Sequence, residues 1–439
     1  MYIIRLFRTF LFIIFIAFSF VTKANENFDI IRDAEIEEIL TEIAKPVFAV
    51  AGLRPEDAKI YVINSETINA FTIGNGYIFI NSGLLLKFEN PLHFIGVLCH
   101  EVGHIAAGHI TRLISNIENR SSNFMVAMLA GILGAMATGS PDAIAVLLGY
   151  AMTDERLFLR FSREQEFAAD ALAASYAIKL GYNANILIEV FDAFERMEIL
   201  SGGANLPIYI RSHPKSVNRI SAIRKYETKQ KYKADKELVK KYKRVITKLR
   251  SYLKPNYLHR TIPIDDYPRA IYFHKSGKSK QAIVILGKLI KENPSDIYYK
   301  DTIAQILTES GRAPEAIKYY KQICSEKSHV LLKIDFARAL VMADQEIDKA
   351  ISLLESAKYV DRVNPEIFRL LANAYGKKGR KGLSFLMLAQ EQMLLQNYDM
   401  AKRLLKSCIE MMDKKTEASH IKKAQDFKAI IEREYGKTL

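Results

Sequence analysis

Cysteine is scarce and unpatterned in this chain: Cys99, Cys324 and Cys408 are the only three among 439 residues. They form no CxxC pair and their spacings are unrelated. A disulfide framework is therefore excluded, and no thiolate set is available for zinc. Tryptophan is absent, which excludes nothing. Long apolar runs are missing too. Residues 10–21 are apolar apart from Ser19, a run of about 12 where ~20 are needed to cross a bilayer as a helix. Residues 124–137 and 143–152, parted by Thr138-Gly139-Ser140-Pro141-Asp142, are each too short as well. They read as a buried helical hairpin, with membrane contact or an apolar lid as the alternative.

Acidic residues are the minority, 49 Asp and Glu against 63 Lys and Arg. The imbalance is concentrated. Between Lys215 and Lys254 there are 15 Lys and Arg, opposed only by Glu227, Asp235 and Glu237. Such a run is either a solvated helix face or a contact for an anionic membrane surface. The start of the chain has the form of an export signal. Arg5 and Arg8 precede the apolar run, and Thr22-Lys23-Ala24 offers a cleavage site before Asn25-Glu26-Asn27. A signal peptide over 1–24 is expected, with a retained anchor as the alternative, and no cysteine follows for lipid attachment. An exported chain is not expected to bind nucleic acid.

What is present is ordinary globular composition, 49% hydrophobic and 26% charged, at a length for two or three domains. Residues 28–51 have helical spacing, with Pro46 near the end. A β-branched strand follows at 59–64, then a hairpin: 69–73, a Gly74-Asn75-Gly76 turn, and 77–81. Pro91 opens a helix expected to run to Thr111. Residues 164–181 and 183–198 are two further helices. Beyond Tyr267 a 34-residue period appears: Ala282, Ala316 and Ala350, and in parallel Gly277, Gly311, Gln345 and Gly379. A small residue where paired helices cross, with Pro294 12 residues after Ala282, is the tetratricopeptide pattern. The register blurs after Gly382, where Ala401 suggests another unit, and 416–435 reads as a capping helix.

His100-Glu101-Val102-Gly103-His104 carries the chemistry. On a helix, residues i and i+4 share a face, so both imidazoles can reach one Zn²⁺. Glu101, one residue off that face, is placed to take a proton from the attacking water and pass it to the leaving amine. The pentapeptide arises by accident in roughly one protein of this size in a hundred, so corroboration is needed. Glu166 and Asp170 supply it, one helical turn apart. Glu166 is the expected third ligand, with Glu164 its rival on another face, and Asp170 would hold a ligating imidazole by its second nitrogen. His109 lies about 180° from His100 on a straight helix, and is expected to be structural or exposed. Tyr77, Ile78, Phe79, Ile80 and Asn81, if an edge strand, could pair with an extended peptide substrate. Arg219 or His213 is the candidate to stabilise an oxyanion.

These segments resemble a known family. HEVGH at 100–104, the Ser162–Asp170 stretch SREQEFAAD, the strand pair at 69–84, and Ser212-His213-Pro214 with Arg219 are similar to the gluzincin family of HtpX and the CAAX prenyl proteases. The exported, repeat-bearing layout is similar to that family's periplasmic members. The resemblance implies zinc ligation by His100, His104 and Glu166, with Glu101 as general base and acid. It also implies that His213 can occupy the fourth zinc position as a gate. It further implies misassembled outer-membrane β-barrel substrates, and repeats that touch the barrel-assembly machinery. The cysteines depart from the family pattern, which leaves an interdomain disulfide without support.

The expectation is a mainly α (α+β) chain: a zincin-like metallopeptidase domain with a small β-sheet, then a TPR α-solenoid. The boundaries are 25–226 for the peptidase, 227–262 for a basic helical connector and 263–439 for the repeats. The expected function is a periplasmic endopeptidase with one Zn²⁺ per chain, acting on misfolded envelope proteins. The alternatives are a repeat-based chaperone or adaptor with a gated metal domain, and a zinc hydrolase of a non-peptide bond.

Overall fold

The computed structural model describes residues 30–110, 112, 162–200, 209, 213, 217–227, 232–254, 265–361, 364–395, 397–413 and 417–435. The expected signal peptide, the apolar runs at 124–137 and 143–152, and Ser212 and Pro214 lie outside these residues. Among these residues the chain is mostly helical, with one small open sheet and a helical C-terminal region.

The first element is a short strand, β1 (Ile30–Ile31), where helix was expected. Helix α1 (Ala34–Val50) begins only after Asp33, whose carboxylate accepts from the Ile36 N–H as a cap. Three strands follow, β2 (Lys59–Ile63), β3 (Ala70–Gly74) and β4 (Tyr77–Asn81). The sheet order is β1-β2-β4-β3, with β2 parallel to β4 and β3 antiparallel to it. The β3–β4 hairpin turns at Gly74, Asn75 and Gly76, all with positive φ. A Cβ at Gly76 would sit 2.0 Å from the Asp57 carbonyl oxygen, so only glycine fits there.

This order corrects the substrate-strand expectation. Tyr77, Ile78, Phe79, Ile80 and Asn81 are paired on both sides and buried, because the β2–β4 pairing encloses them. The edge beside the motif helix is β3, which packs on that helix.

Helix α2 (Ser82–Lys87) leads into α3 (Pro91–Ala106), opened by Pro91 and capped by the Asn90 side chain. Helix α3 stops five residues before the expected end, where Ala107 and a left-handed Gly108 (φ 64°) break it. Helix α4 (Arg163–Lys179) starts in a capping box between Ser162 and Gln165. It crosses α3 at Gly103, where a Cβ would lie 2.9 Å from the Ala169 carbonyl oxygen. The glycine inside the motif is what lets the two helices meet. Helices α5 (Asn185–Leu200) and α6 (Val217–Arg224) complete this half, with α5 against α3 and α6 against both α4 and α5.

The basic stretch forms α7 (Lys236–Leu253), and it is not merely a solvated connector. Tyr242, Val245, Ile246 and Leu249 are buried in the core shared by α1, the sheet, α3 and α5, and the Tyr242 hydroxyl donates to the Phe88 carbonyl at 2.7 Å. The C-terminal region is a series of helix pairs. These are α8 (Asp266–Lys275) with α9 (Ser279–Glu292), α10 (Ile297–Glu309) with α11 (Ala313–Ile323), and α12 (Val330–Ala343) with α13 (Ile347–Val360). Then come α14 (Pro365–Lys377) with α15 (Lys381–Leu394) and α16 (Tyr398–Met411) with α17 (Ala418–Tyr435). Ala282, Ala316 and Ala350 are fully buried on the second helix of successive pairs. Gly277, Gly311 and Gly379 take positive φ in the turns, and where Gln345 replaces glycine the left-handed residues are Asp344 and Glu346. Helix pairing continues past Gly382, but Ala401 falls on the first helix of the fifth pair, half a unit out of register with Ala282, Ala316 and Ala350, as the blurred period suggests.

Candidate metal centre

Helix α3 presents His100 and His104 on one face, and α4 brings Glu166 to them. His100 Nε2 and His104 Nε2 are 3.1 Å apart, and each lies 3.5 Å from a Glu166 oxygen. His213 joins the same cluster, its Nδ1 2.9 Å from Glu166 Oε1 and 3.1 Å from His100 Nε2. One donor atom from each of these four buried residues lies within 4.8 Å of all the others. Glu164, the rival ligand, is exposed on α4. Three imidazoles and a carboxylate form an N/O donor set of the kind that suits Zn²⁺ and similar divalent ions. The residues present fit such an ion.

Glu101 lies beside the cluster, with His213 Nε2 3.7 Å from its Oε1. Both its carboxylate oxygens are buried without a well-formed hydrogen bond. Burial raises its pKa, against the opposing pull of His213 and His100. A buried carboxylate with a raised pKa beside the cluster is equipped to accept a proton and return it.

The surrounding side chains hold the cluster in place. Asp170 Oδ1 is 3.1 Å from His100 Nδ1. Burial disfavours charge on His100, but the hydrogen bonds it donates to Asp170 and Glu166 prevail and push it up to about 10. For His104, burial and the neighbouring His100 and His213 act together and hold the ring well below the ordinary range, as a neutral imidazole. Burial would raise Glu166, yet His213 and His100 pull it below the usual carboxylate range.

Arg219 sits differently from the oxyanion role considered for it. Its guanidinium donates to Asp170 from Nε at 2.6 Å and from Nη2 at 2.8 Å, and its Nη1 lies 2.8 Å from Glu166 Oε2. The Arg219 guanidinium thus clamps two carboxylates beside the cluster. His109 is not exposed. The break at Gly108 turns it back beneath α3, where its Nδ1 is 2.9 Å from His104 Nδ1.

Tyr209 was not singled out from the sequence. Its ring lies 4.7 Å from that of His213 and stacks on Phe194 at 4.9 Å. Its carbonyl accepts from the His213 N–H at 2.9 Å, a contact between residues four apart. That spacing was the available signal, in a stretch without an apolar period.

A buried His/His/Glu cluster on two crossed helices, with a buried glutamate beside it, defines a metallopeptidase centre. Residues 31–227 match the model of peptidase family M48, and the chain carries an M48 peptidase domain. Homology extends beyond that domain. The chain is 20% identical over 402 residues to the beta-barrel assembly-enhancing protease of Escherichia coli (strain K12), covering 88% of this chain and 82% of that protein. It is 29% identical over 185 residues to metalloprotease YcaL of the same strain, covering 42% of this chain and 67% of that one. With mitochondrial metalloendopeptidase OMA1 of Arabidopsis thaliana it shares 26% identity over 199 residues, covering 45% of this chain and 37% of the relative. Among the described residues no helix is long and apolar enough to cross a membrane.

Proposed function

We propose that this protein is a periplasmic zinc endopeptidase of gluzincin type that degrades misassembled envelope proteins, including outer-membrane β-barrels. The observation that carries the reading is the convergence of His100, His104 and Glu166 beside the buried carboxylate of Glu101. The name of the assembly-enhancing relatives supports the substrate class, and the matched span, which runs well past the peptidase domain, supports a shared layout. The 34-residue period in the C-terminal helices supports a tetratricopeptide reading, with that surface facing the barrel-assembly machinery.

What Zn²⁺ supplies when bound is Lewis acidity toward water and the scissile carbonyl. The chain's own residues do the rest. His100, His104 and Glu166 hold the ion, with Asp170 and Arg219 fixing the first and last of these. Glu101 takes the proton of the attacking water and delivers it to the leaving amine. An extended peptide adds to β3, whose outer edge has no strand beside it among the described residues, so binding is through main-chain bonds and tolerant of sequence.

His213 favours a gated form of the enzyme, because its ring stands among the donor atoms, between Glu166 and Glu101. Both ideas are tested with zinc-loaded protein on casein. Glu101→Gln should keep its zinc and lose roughly 10²–10⁴ in rate; wild-type cleavage by that variant would refute the mechanism. His213→Ala should cleave faster than wild type if the ring restrains the site, and an equal or slower rate removes the gate.

A further inference from the structure

His109 has no part in the steps above, yet it is 3% exposed and touches a proposed ligand. The turn that places it is specific. Helix α3 ends at Ala106, Gly108 takes φ 64°, and Ile110 is buried beside Gly74 of β3. His109 is thereby held under the helix, with its ring centroid 5.0 Å from that of His104.

The chemistry of the contact follows from proton counting. Two Nδ1 atoms 2.9 Å apart share one proton, so one ring donates and the other accepts. His104 Nε2 is the atom that faces His100 and Glu166. To offer a lone pair there, the neutral ring must carry its proton on Nδ1. We infer that His109 is the positioning residue of His104, accepting the Nδ1–H and so fixing the tautomer and ring angle that aim Nε2 at the ion. His100 receives the same service from Asp170, so the two motif histidines are oriented by different chemistries, a carboxylate and an imidazole. This assignment rests on the metal-centre reading above.

The test uses full-length His109→Phe, His109→Ala and His109→Asn, with His104→Ala as reference. Each is stripped of metal, titrated with Zn²⁺ alone against a chromophoric chelator, and examined by the visible spectrum of its Co²⁺ form. Phe keeps ring volume and Ala does not, but neither accepts a hydrogen bond; the Asn carbonyl oxygen falls near the lost Nδ1. Phe and Ala should both weaken Zn²⁺ by ~10–100-fold and alter the Co²⁺ bands, while Asn recovers most of the affinity. Wild-type affinity in Phe and Ala overturns the assignment. So does an Asn variant as weak as the other two, since packing alone would then explain the loss. If Phe fails to melt cooperatively, the Ala and Asn pair decides by the same criteria. Failure of the metal-centre reading looks different: His104→Ala would then hold Zn²⁺ as tightly as wild type.

Discussion

Glu37 lies in the first turns of α1, away from the metal cluster, and is nearly as buried as the ligands. Arg32 Nε donates to it at 2.8 Å, and His329 Nε2 lies 3.7 Å away; Asp33, Asp361 and Tyr61 also bear on it. Burial outweighs Arg32 and raises its pKa from 4.5 to about 7. The folded chain therefore keeps this proton to a higher pH than the unfolded chain does. The stabilisation is complete below 4.5 and is lost as pH rises through about 7. His329, lowered to about 4, has the opposite sign, contributing above 6.5 and losing that contribution as pH falls toward 4. Comparing variant and wild type at one pH cancels His329. Glu37→Gln should match wild type at about pH 4 and be more stable by about 3 kcal/mol at pH 8. Urea denaturation at the two pH values checks it, and an equal difference at both would count against the burial argument. His100, His104, Glu166 and Asp170 were legible because HExxH and the Glu166/Asp170 pair follow helical spacing, whereas His213 entered the site only through the family resemblance. Arg219 was legible as important but not in its role, since only three dimensions put its guanidinium behind the carboxylates.

At the scale of elements, periodicity was a good guide wherever one backbone conformation persisted. The β3–β4 hairpin, α3, α4 and the helix pairs all appear where apolar spacing and turn residues put them. The errors came where long-range pairing or a single residue decided. Strand β4 is internal because β2 pairs with it in parallel, and nothing in residues 77–81 encodes which neighbour a strand will take. The unbroken apolar run Tyr77-Ile78-Phe79-Ile80 was the readable hint, since an edge strand open to solvent rarely buries both faces. The end of α3 turned on Gly108. A helical wheel drawn through that glycine puts His109 opposite His100, whereas the real break returns it to His104. Gly103 shows the converse: it sits inside the motif, is fully helical, and is needed for the close approach of α4.

Across the whole molecule, one buried ionic network joins the peptidase domain to the helical domain, and α7 is its centre. Lys248 is fully buried, its Nζ 2.8 Å from Asp33 Oδ2 and 2.9 Å from Glu35 Oε2. Asp33 also caps α1, while Glu35 accepts from Arg244 and, at 2.6 Å, from the hydroxyl of Tyr267 on α8. Arg244 continues to Asp296, the cap of α10, and Arg32 reaches Asp361 beyond α13 at 3.2 Å. The basic run thus spends part of its charge internally. Such a network adds little stability compared with a well-packed apolar one, but deleting a single member strands the others without solvent. Lys248→Ala leaves Asp33 and Glu35 facing each other in the interior, and should cost about 3–5 kcal/mol. The chain has no tryptophan, so far-UV circular dichroism in urea is the measurement. The expected result is a midpoint well below wild type, partly restored by adding Glu35→Gln, which removes one of the stranded charges. An unchanged midpoint in Lys248→Ala would mean that solvent reaches these carboxylates and that α7 is a tether rather than a shared wall of both domains.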